Sequence, residues 1–249
     1  SDERESIAKE IEMIGYKNNE EFERKLENRT ALRSKLFETK SVNATSMKVS
    51  DLEDQKNIVH KNSFLDISSA AKIGKAVHRA LNIIDFESDQ FAIEAISTRC
   101  SRNEGLSNHQ DIKKCISMVS CALKSPLFKT AGVEIFRELP ISGYIENVFC
   151  EGYIDCLIKN GDQYTIVDYK TDTIDNTRTI ESKLLKHSQQ MAFYSLLLKN
   201  SLNISKCDEV LFFLDNEKNP YIEVENLENY ENIILESLKN RTATVAANG

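Results

Sequence analysis

The sequence predicts an α/β protein, a sheet with helices on its faces, and three observations predict it. An amphipathic helical pattern runs from about Ser68 to Phe86. From about residue 132 the period changes, and short runs rich in β-branched and aromatic residues replace the helical spacing. A long helical stretch, about Ile180–Asn200, then separates two sets of such runs.

Taken in order, residues 1–40 read as helical. Ile7, Ile11 and Ile14 recur at helical spacing with Gly15 as a stop, and Phe22, Leu26 and Leu36 suggest a second helix. This stretch reads as an arm that packs on the main domain or joins it to something upstream. Residues 41–65 are polar and irregular, apart from a short helix near Val49–Leu52. In the Ser68–Phe86 helix, Ile73, Val77, Ala80, Leu81 and Ile84 form one apolar stripe. Residues 87–131 read as further short helices. GVEIFREL (132–139), EGYIDCLIK (151–159) and QYTIVDYK (163–170) read as strands, the last two joined through Asn160-Gly161 as a hairpin. After the long helix come the strands VLFFLD (210–215) and YIEVE (221–225), turning at Glu217–Pro220. A last helix is expected over Leu227–Asn240, with an unstructured tail at 241–249.

The length of 249 residues suits one domain, or one with an appendage. The six cysteines form no CxxC pair, so reduced and mostly buried thiols are expected rather than disulfides, zinc or an iron–sulfur cluster. No window reaches the ~18 apolar residues of a membrane span. The charged opening SDERESIAKE is unlike a signal peptide, so a cytoplasmic protein is expected. The net charge of −7 argues against a free-standing nucleic-acid binder. A partner or fused motor that grips nucleic acid, together with the acid of a metal site, would answer that objection.

The hairpin carries the chemistry. Residues i and i+2 of a strand share a face, so Asp168 and Lys170 point the same way. An even-length loop pairs 158 with 163 and 155 with 166. Asp155 then lies diagonally across from Asp168, ~7–8 Å away between backbones. An arbitrary Asp-x-Lys is usually a solvated pair on an exposed face. Here Ile166, Val167 and Tyr169 surround it, and charge in a central strand needs a reason. Two close carboxylates repel, and Mg²⁺ is held by such carboxylates with phosphate oxygens and water. With a lysine beside them, the set has what phosphodiester hydrolysis by metal-activated water requires.

GYIDCLI followed by YTIVDYKTD resembles the core of the PD-(D/E)xK nucleases, in particular the RecB/AddA-type nuclease domains at the C-termini of bacterial helicase–nucleases. IGKAVHRAL (73–81) resembles that branch's G-x-x-x-H helix, SPLF (125–128) and REL-P (137–140) its segment ahead of the core, and HSQQMAFY (187–194) its Q-x-x-x-Y helix. The resemblance covers about residues 44–225 and implies a restriction-endonuclease-like core, a central mixed sheet flanked by helices, with extra N-terminal helices. It implies Asp155, Asp168 and the carbonyl of Tyr169 as metal ligands with His78 from the neighbouring helix. Lys170 becomes the catalytic lysine, and Gln190 and Tyr194 line the site. Of Glu134 and Glu138, Glu138 is the residue chosen for the family's upstream glutamate. His187 shares the helix face of Gln190 and Lys183 and is read as solvated.

Imidazole suits Mn²⁺ better than Mg²⁺. A ligating His78 would therefore favour Mn²⁺ and lose activity below ~pH 6.5, where imidazole protonates. The clustered cysteine trio of iron–sulfur relatives is absent, so no cluster is expected. No GxxxxGK[ST] occurs, so an ATP motor would lie elsewhere in the polypeptide or complex. The expected organisation is a helical arm or linker over 1–43, a nuclease domain over 44–240 and a disordered tail over 241–249. The expected function is a Mg²⁺- or Mn²⁺-dependent deoxyribonuclease, the exonuclease module of a helicase–nuclease in DNA end processing and recombinational repair. The alternative is a non-catalytic DNA-end or protein-docking module on the same fold. Retention of the lysine and both aspartates favours the enzyme.

Overall fold

The computed structural model describes residues 19–37, 46–48, 68–172, 177–215, 221–224 and 227–247. The elements are α1 (Asn19–Leu36), β1 (Ser46–Lys48), α2 (Ser69–Ile83), α3 (Gln90–Asn103), α4 (His109–Lys124), β2 (Glu134–Ile145), β3 (Val148–Asn160), β4 (Gln163–Lys170), α5 (Thr177–Leu202), β5 (Asp208–Phe213), β6 (Tyr221–Glu223) and α6 (Leu227–Ala247). The six strands form one mixed sheet in the order β1-β3-β4-β5-β6, with β2 also on β3. Fold class, central sheet and flanking helices agree with the expectation.

Two cores lie on opposite faces of the sheet. On one, Leu32 and Leu36 of α1, Met191 to Leu198 of α5, and Ile234 and Leu238 of α6 pack on Leu139, Ile154 and Ile166. On the other, Val77, Leu81, Cys100, Met118 and Val119 of α2 to α4 pack on Cys156, Val167, Tyr169 and Phe212. In β4 the alternation is regular. Ile166 faces α5, and Val167 and Tyr169 face α2 to α4. Asp168 therefore points to the α5 side. Parallel pairing of β4 with β5 needs a crossover, which α5 supplies.

β3 organises the sheet. β2 runs antiparallel along one edge, from Glu134↔Lys159 to Ile145↔Val148. The other edge is shared, with β1 parallel at Phe149–Glu151 and β4 antiparallel at Cys156–Asn160. Between those stretches neither strand pairs with β3, and Asp155 sits at the end of this notch.

Several sequence expectations need correction. The β3–β4 register is Asn160↔Gln163 and Ile158↔Thr165, not 158 with 163. The turn is only Gly161-Asp162, with Gly161 at φ 59°, the arrangement of a two-residue hairpin with glycine first. The shift is two residues, so side-chain faces are unchanged, but Asp155 comes opposite Asp168 rather than diagonal to it. Residues 46–48, expected to be irregular, form β1, because the edge of β3 fixes a segment with no pattern of its own. β2 continues past Pro140 to Ile145 and turns through Glu146-Asn147, both at positive φ (48° and 62°). The region 87–131 holds two helices of 14 and 16 residues and a 3₁₀ turn at Pro126–Phe128, rather than several short helices. The last helix reaches Ala247, because Arg241–Ala247 holds no Gly or Pro to end it, so residues 241–247 of the expected tail are helical. The proposed helices around Ile7–Ile14 and Val49–Leu52, and the turn at Glu217–Pro220, lie outside the described residues.

The N-terminal helix is built into the fold, with Leu36 fully buried in the α5-side core. Leu36→Ala should cost about 2–5 kcal/mol in urea unfolding, the usual range for truncating a core leucine. A loss within about 0.5 kcal/mol would show instead that α1 only leans on the domain.

Candidate active site

The site lies where the β2–β3 ladder breaks. Pairing runs to Arg137↔Cys156 and resumes at Leu139↔Ile154, skipping Glu138 and Asp155. Phe136 and Leu139 both face the α5-side core, as do Ile154 and Leu157. Strict alternation would put residues three apart on opposite faces, so both strands reverse here while keeping register. Glu138 carries the reversal with φ 45°, a left-handed conformation that costs a non-glycine residue about 1–2 kcal/mol.

The break frees Asp155 for bonds other than those of the ladder. Its Oδ2 accepts the backbone N–H of Tyr169 at 2.9 Å. Its Oδ1 lies 3.3 Å from Nδ1 of His78, which arrives on α2 from the opposite face. Oxygens of Glu138 and Asp155 and a ring nitrogen of His78 all lie within 4.8 Å of one another. On the α5 side, Lys170 Nζ is 2.6 Å from Asp168 Oδ2 and donates to Gln190 Oε1 at 3.0 Å. The buried Tyr194 lies beside the Gln190 side chain, and burial raises its phenol well above the ordinary range.

Neighbouring motifs hold this arrangement. A Cβ on Gly74 would meet the Thr171 hydroxyl at 3.2 Å, so the glycine lets α2 approach the end of β4 and carry His78 to Asp155. Ser68 caps the start of α2. The Arg137 guanidinium donates to the carbonyls of Asn82 and Ile84 and lies over the Phe86 ring, tying the end of α2 to β2. Phe86 stacks on Phe128 of the SPLF turn, which packs toward Tyr169.

The electrostatics describe a site of crowded acids. Burial raises the Asp168 carboxyl, Lys170 opposes that, and Asp155 raises it further. Burial and then Asp155 raise Glu138, against His78 and Arg29. Burial would depress the His78 imidazole, but Asp155, with Asp168 behind it, lifts it to about 9. A cation between His78, Glu138 and Asp155 would relieve this repulsion, and one nitrogen with two carboxylates suits a Mg²⁺- or Mn²⁺-class ion.

The structure thus brings together His78, Asp155, Asp168, Tyr169, Lys170, Gln190 and Tyr194, all named from sequence. Of the two glutamates, Glu138 is in the site. Glu134 is engaged elsewhere, 2.5 Å from Lys159 and bonded to Asn28. Asp168 stands with Lys170 rather than in the close donor trio. His187 is not solvated. It is 4% exposed, with Nε2 3.6 Å from Asp172, because the helix face it shares with Gln190 packs on the end of β4. The Lys183 side chain lies outside the described residues. Arg29, which sequence reading passed over, donates to the Arg137 carbonyl at 2.9 Å beside the strained Glu138. No sequence signal pointed to it, since it lies on a helix more than a hundred residues upstream. All six cysteines are free thiols and five are buried.

Similarity to known proteins covers most of the chain. Residues 63–248 match the model of a family described as the PD-(D/E)XK nuclease superfamily. An ATP-dependent helicase/nuclease protein of Bacillus mycoides is 26% identical over 175 residues, 58% of this chain and 14% of that protein. One of Ruminiclostridium cellulolyticum is 24% identical over 184 residues, 66% of this chain and 15% of that protein. One of Exiguobacterium sibiricum is 31% identical over 88 residues, 28% of this chain and 7% of that protein. The chain therefore spans a small part of the length of these relatives.

In EDTA, the His78 imidazole should titrate near pH 9, read by NMR. Asp155→Asn should return it to or below the ordinary ~6.5, since burial then meets less opposition. A titration still near 9 in the variant would reject Asp155 as the cause. Because the folded value is raised, this pair's stabilisation is complete below ~6.5 and is lost as pH rises through about 9.

Proposed function

The chain belongs to the PD-(D/E)XK nuclease superfamily, and from that premise we propose that it is a divalent-metal-dependent deoxyribonuclease, the exonuclease module of an ATP-dependent helicase–nuclease. The observation that carries the reading is the convergence of His78, Glu138 and Asp155 beside the Asp168–Lys170–Gln190 chain. His78, Glu138 and Asp155 would hold a Mg²⁺- or Mn²⁺-class ion, with Asp168 and the Tyr169 carbonyl completing its surroundings. When bound, the ion would supply Lewis-acid charge that activates water and offsets phosphodiester charge.

The protein's own groups have distinct tasks. The Tyr169 amide fixes Asp155, so that one oxygen is anchored and the other turns to His78. Asp168 and Gln190 hold the Lys170 ammonium at one place in a pocket that leaves it 12% exposed. A fixed cation there stabilises negative charge as it develops on the phosphodiester oxygens. Tyr194, buried one turn of α5 beyond Gln190, would pack beside the residue that holds the lysine.

The relatives' names combine helicase with nuclease, and this chain has no GxxxxGK[ST] loop. We therefore place the motor elsewhere in the same polypeptide or in a complex, with DNA ends as substrate and recombinational repair in the cytoplasm as context. The net charge of −7 fits a nuclease to which a motor delivers DNA. Among the described residues no helix is long and apolar enough to cross a membrane. Residues 1–43 would continue upstream, with α1 as the part that docks on the nuclease domain.

The test is degradation of linear single- and double-stranded DNA with Mg²⁺, Mn²⁺ or EDTA. Cleavage should need metal, be greater with Mn²⁺, and fall by about 10²-fold or more in Lys170→Ala, the scale of losing one preorganised charge. Calorimetry should show a Mn²⁺ site that Asp155→Ala abolishes and His78→Ala weakens. Affinity should rise with pH up to about 9, because the ion must displace the His78 proton. Cleavage that persists in EDTA, or a wild-type chain with no Mn²⁺ site, would refute the metal-dependent nuclease.

A further inference from the structure

We infer that Arg29, on the N-terminal helix α1, is a positioning residue for the active site: it selects the left-handed backbone that places Glu138 beside Asp155 and His78. The consequence for metal binding rests on the metal site proposed above. The consequence for the backbone does not.

The Arg137 carbonyl and the Glu138 amide belong to one rigid peptide plane. The φ angle of Glu138 sets how that plane stands relative to the Glu138 side chain. At φ 45° the carbonyl meets the Arg29 guanidinium at 2.9 Å. Turning Glu138 to an extended φ would rotate the plane and carry the carbonyl away from Arg29. The hydrogen bond and the left-handed conformation therefore favour each other. The β2–β3 ladder supplies no such preference, because it skips the Glu138/Asp155 position.

The guanidinium is itself held in place. Leu32 and Leu36, three and seven residues on, are buried in the core and fix the helix face that Arg29 flanks. Asn28 of the same helix bonds Glu134 on β2 at 2.6 Å. Arg33 and Arg137 repel the guanidinium, and Glu138 attracts it. Direct attraction to the Glu138 carboxylate adds to the bond with the peptide. Arg29 itself lies on a helix outside residues 63–248, the segment that matches the family, and the peptide it holds lies inside it.

The experiment uses the full chain, with Arg29→Ala, Glu138→Ala and the double variant. Ile93→Val, a buried change on α3 away from the site, serves as a stability control. In metal-free protein, NMR shifts and the amide–Hα coupling of Glu138 should report a left-handed φ, and Arg29→Ala should move them to the extended range. Mn²⁺ calorimetry should show ~10–100-fold weaker binding in Arg29→Ala, the usual cost of losing a group that orients a ligand. The double variant should bind no more weakly than Glu138→Ala alone, since Arg29 acts through Glu138. Ile93→Val should lose stability and keep its Mn²⁺ affinity. A left-handed Glu138 that persists in Arg29→Ala, or additive losses in the double variant, would overturn the assignment. A wild-type chain without a Mn²⁺ site would refute the metal reading instead, and the Glu138 backbone would still decide the role of Arg29.

Discussion

The Tyr169 amide donates to a carboxylate where a strand would ordinarily receive it, and the site grows from that exchange. β3 has β2 along one side, broken at Glu138 and Asp155, while its other edge passes from β1 to β4 with a gap between them. A gap in a sheet leaves backbone groups that must find other partners. Asp155 fills one of those needs with its own side chain, which places a half-buried carboxylate at a fixed point on a rigid strand. His78 and Glu138 are then placed relative to that carboxylate from a helix and from the neighbouring strand. Fixing side chains on regular elements holds them more closely than loops would.

Charge completes what geometry begins. Asp155, Glu138 and Asp168 are crowded together, and the compensating cations are distributed: His78 at Asp155, Lys170 at Asp168, Arg29 near Glu138. Each acid has a cation drawn from a different element, so each compensation can be changed separately. A divalent ion entering between His78, Glu138 and Asp155 would compete with the proton on His78 while leaving the Lys170–Asp168 pair in place. The lysine thus keeps its place beside Asp168 and Gln190, where a group that meets developing negative charge should stand.

Much of this was legible in the sequence. The hairpin was written in alternation around Asn160-Gly161, and parity alone put Asp155, Asp168 and Lys170 on one side. An error of two residues in register therefore left the faces correct. His78, Gln190 and Tyr194 were legible through ordered motifs rather than pattern, since an apolar helix usually keeps a histidine in its core. What escaped depends on tertiary context. β1 has no pattern of its own and exists because β3 offers an edge. His187 looked solvated because nothing local shows that its helix face meets the end of β4. The left-handed Glu138 is invisible to propensity, which would assign glycine to such an angle.

The helix before the family-matched segment bears on where the functional unit begins. Family likeness starts at residue 63, yet Leu32 and Leu36 are core residues under the same sheet and Arg29 meets the peptide that aims Glu138. Sequence likeness follows residues whose chemistry is shared, whereas packing needs only apolar surface of the right shape, which many sequences supply. A boundary drawn from likeness alone would remove a layer of the core and one of the cations that act on Glu138 together. The α5-side core would then expose Leu139 and Ile141 of β2, the strand that carries the strained residue. Strain of this kind persists only where its surroundings over-determine it. The folded unit and the chemical unit therefore share α1, and the site's geometry depends on a helix that contributes no ligand to it.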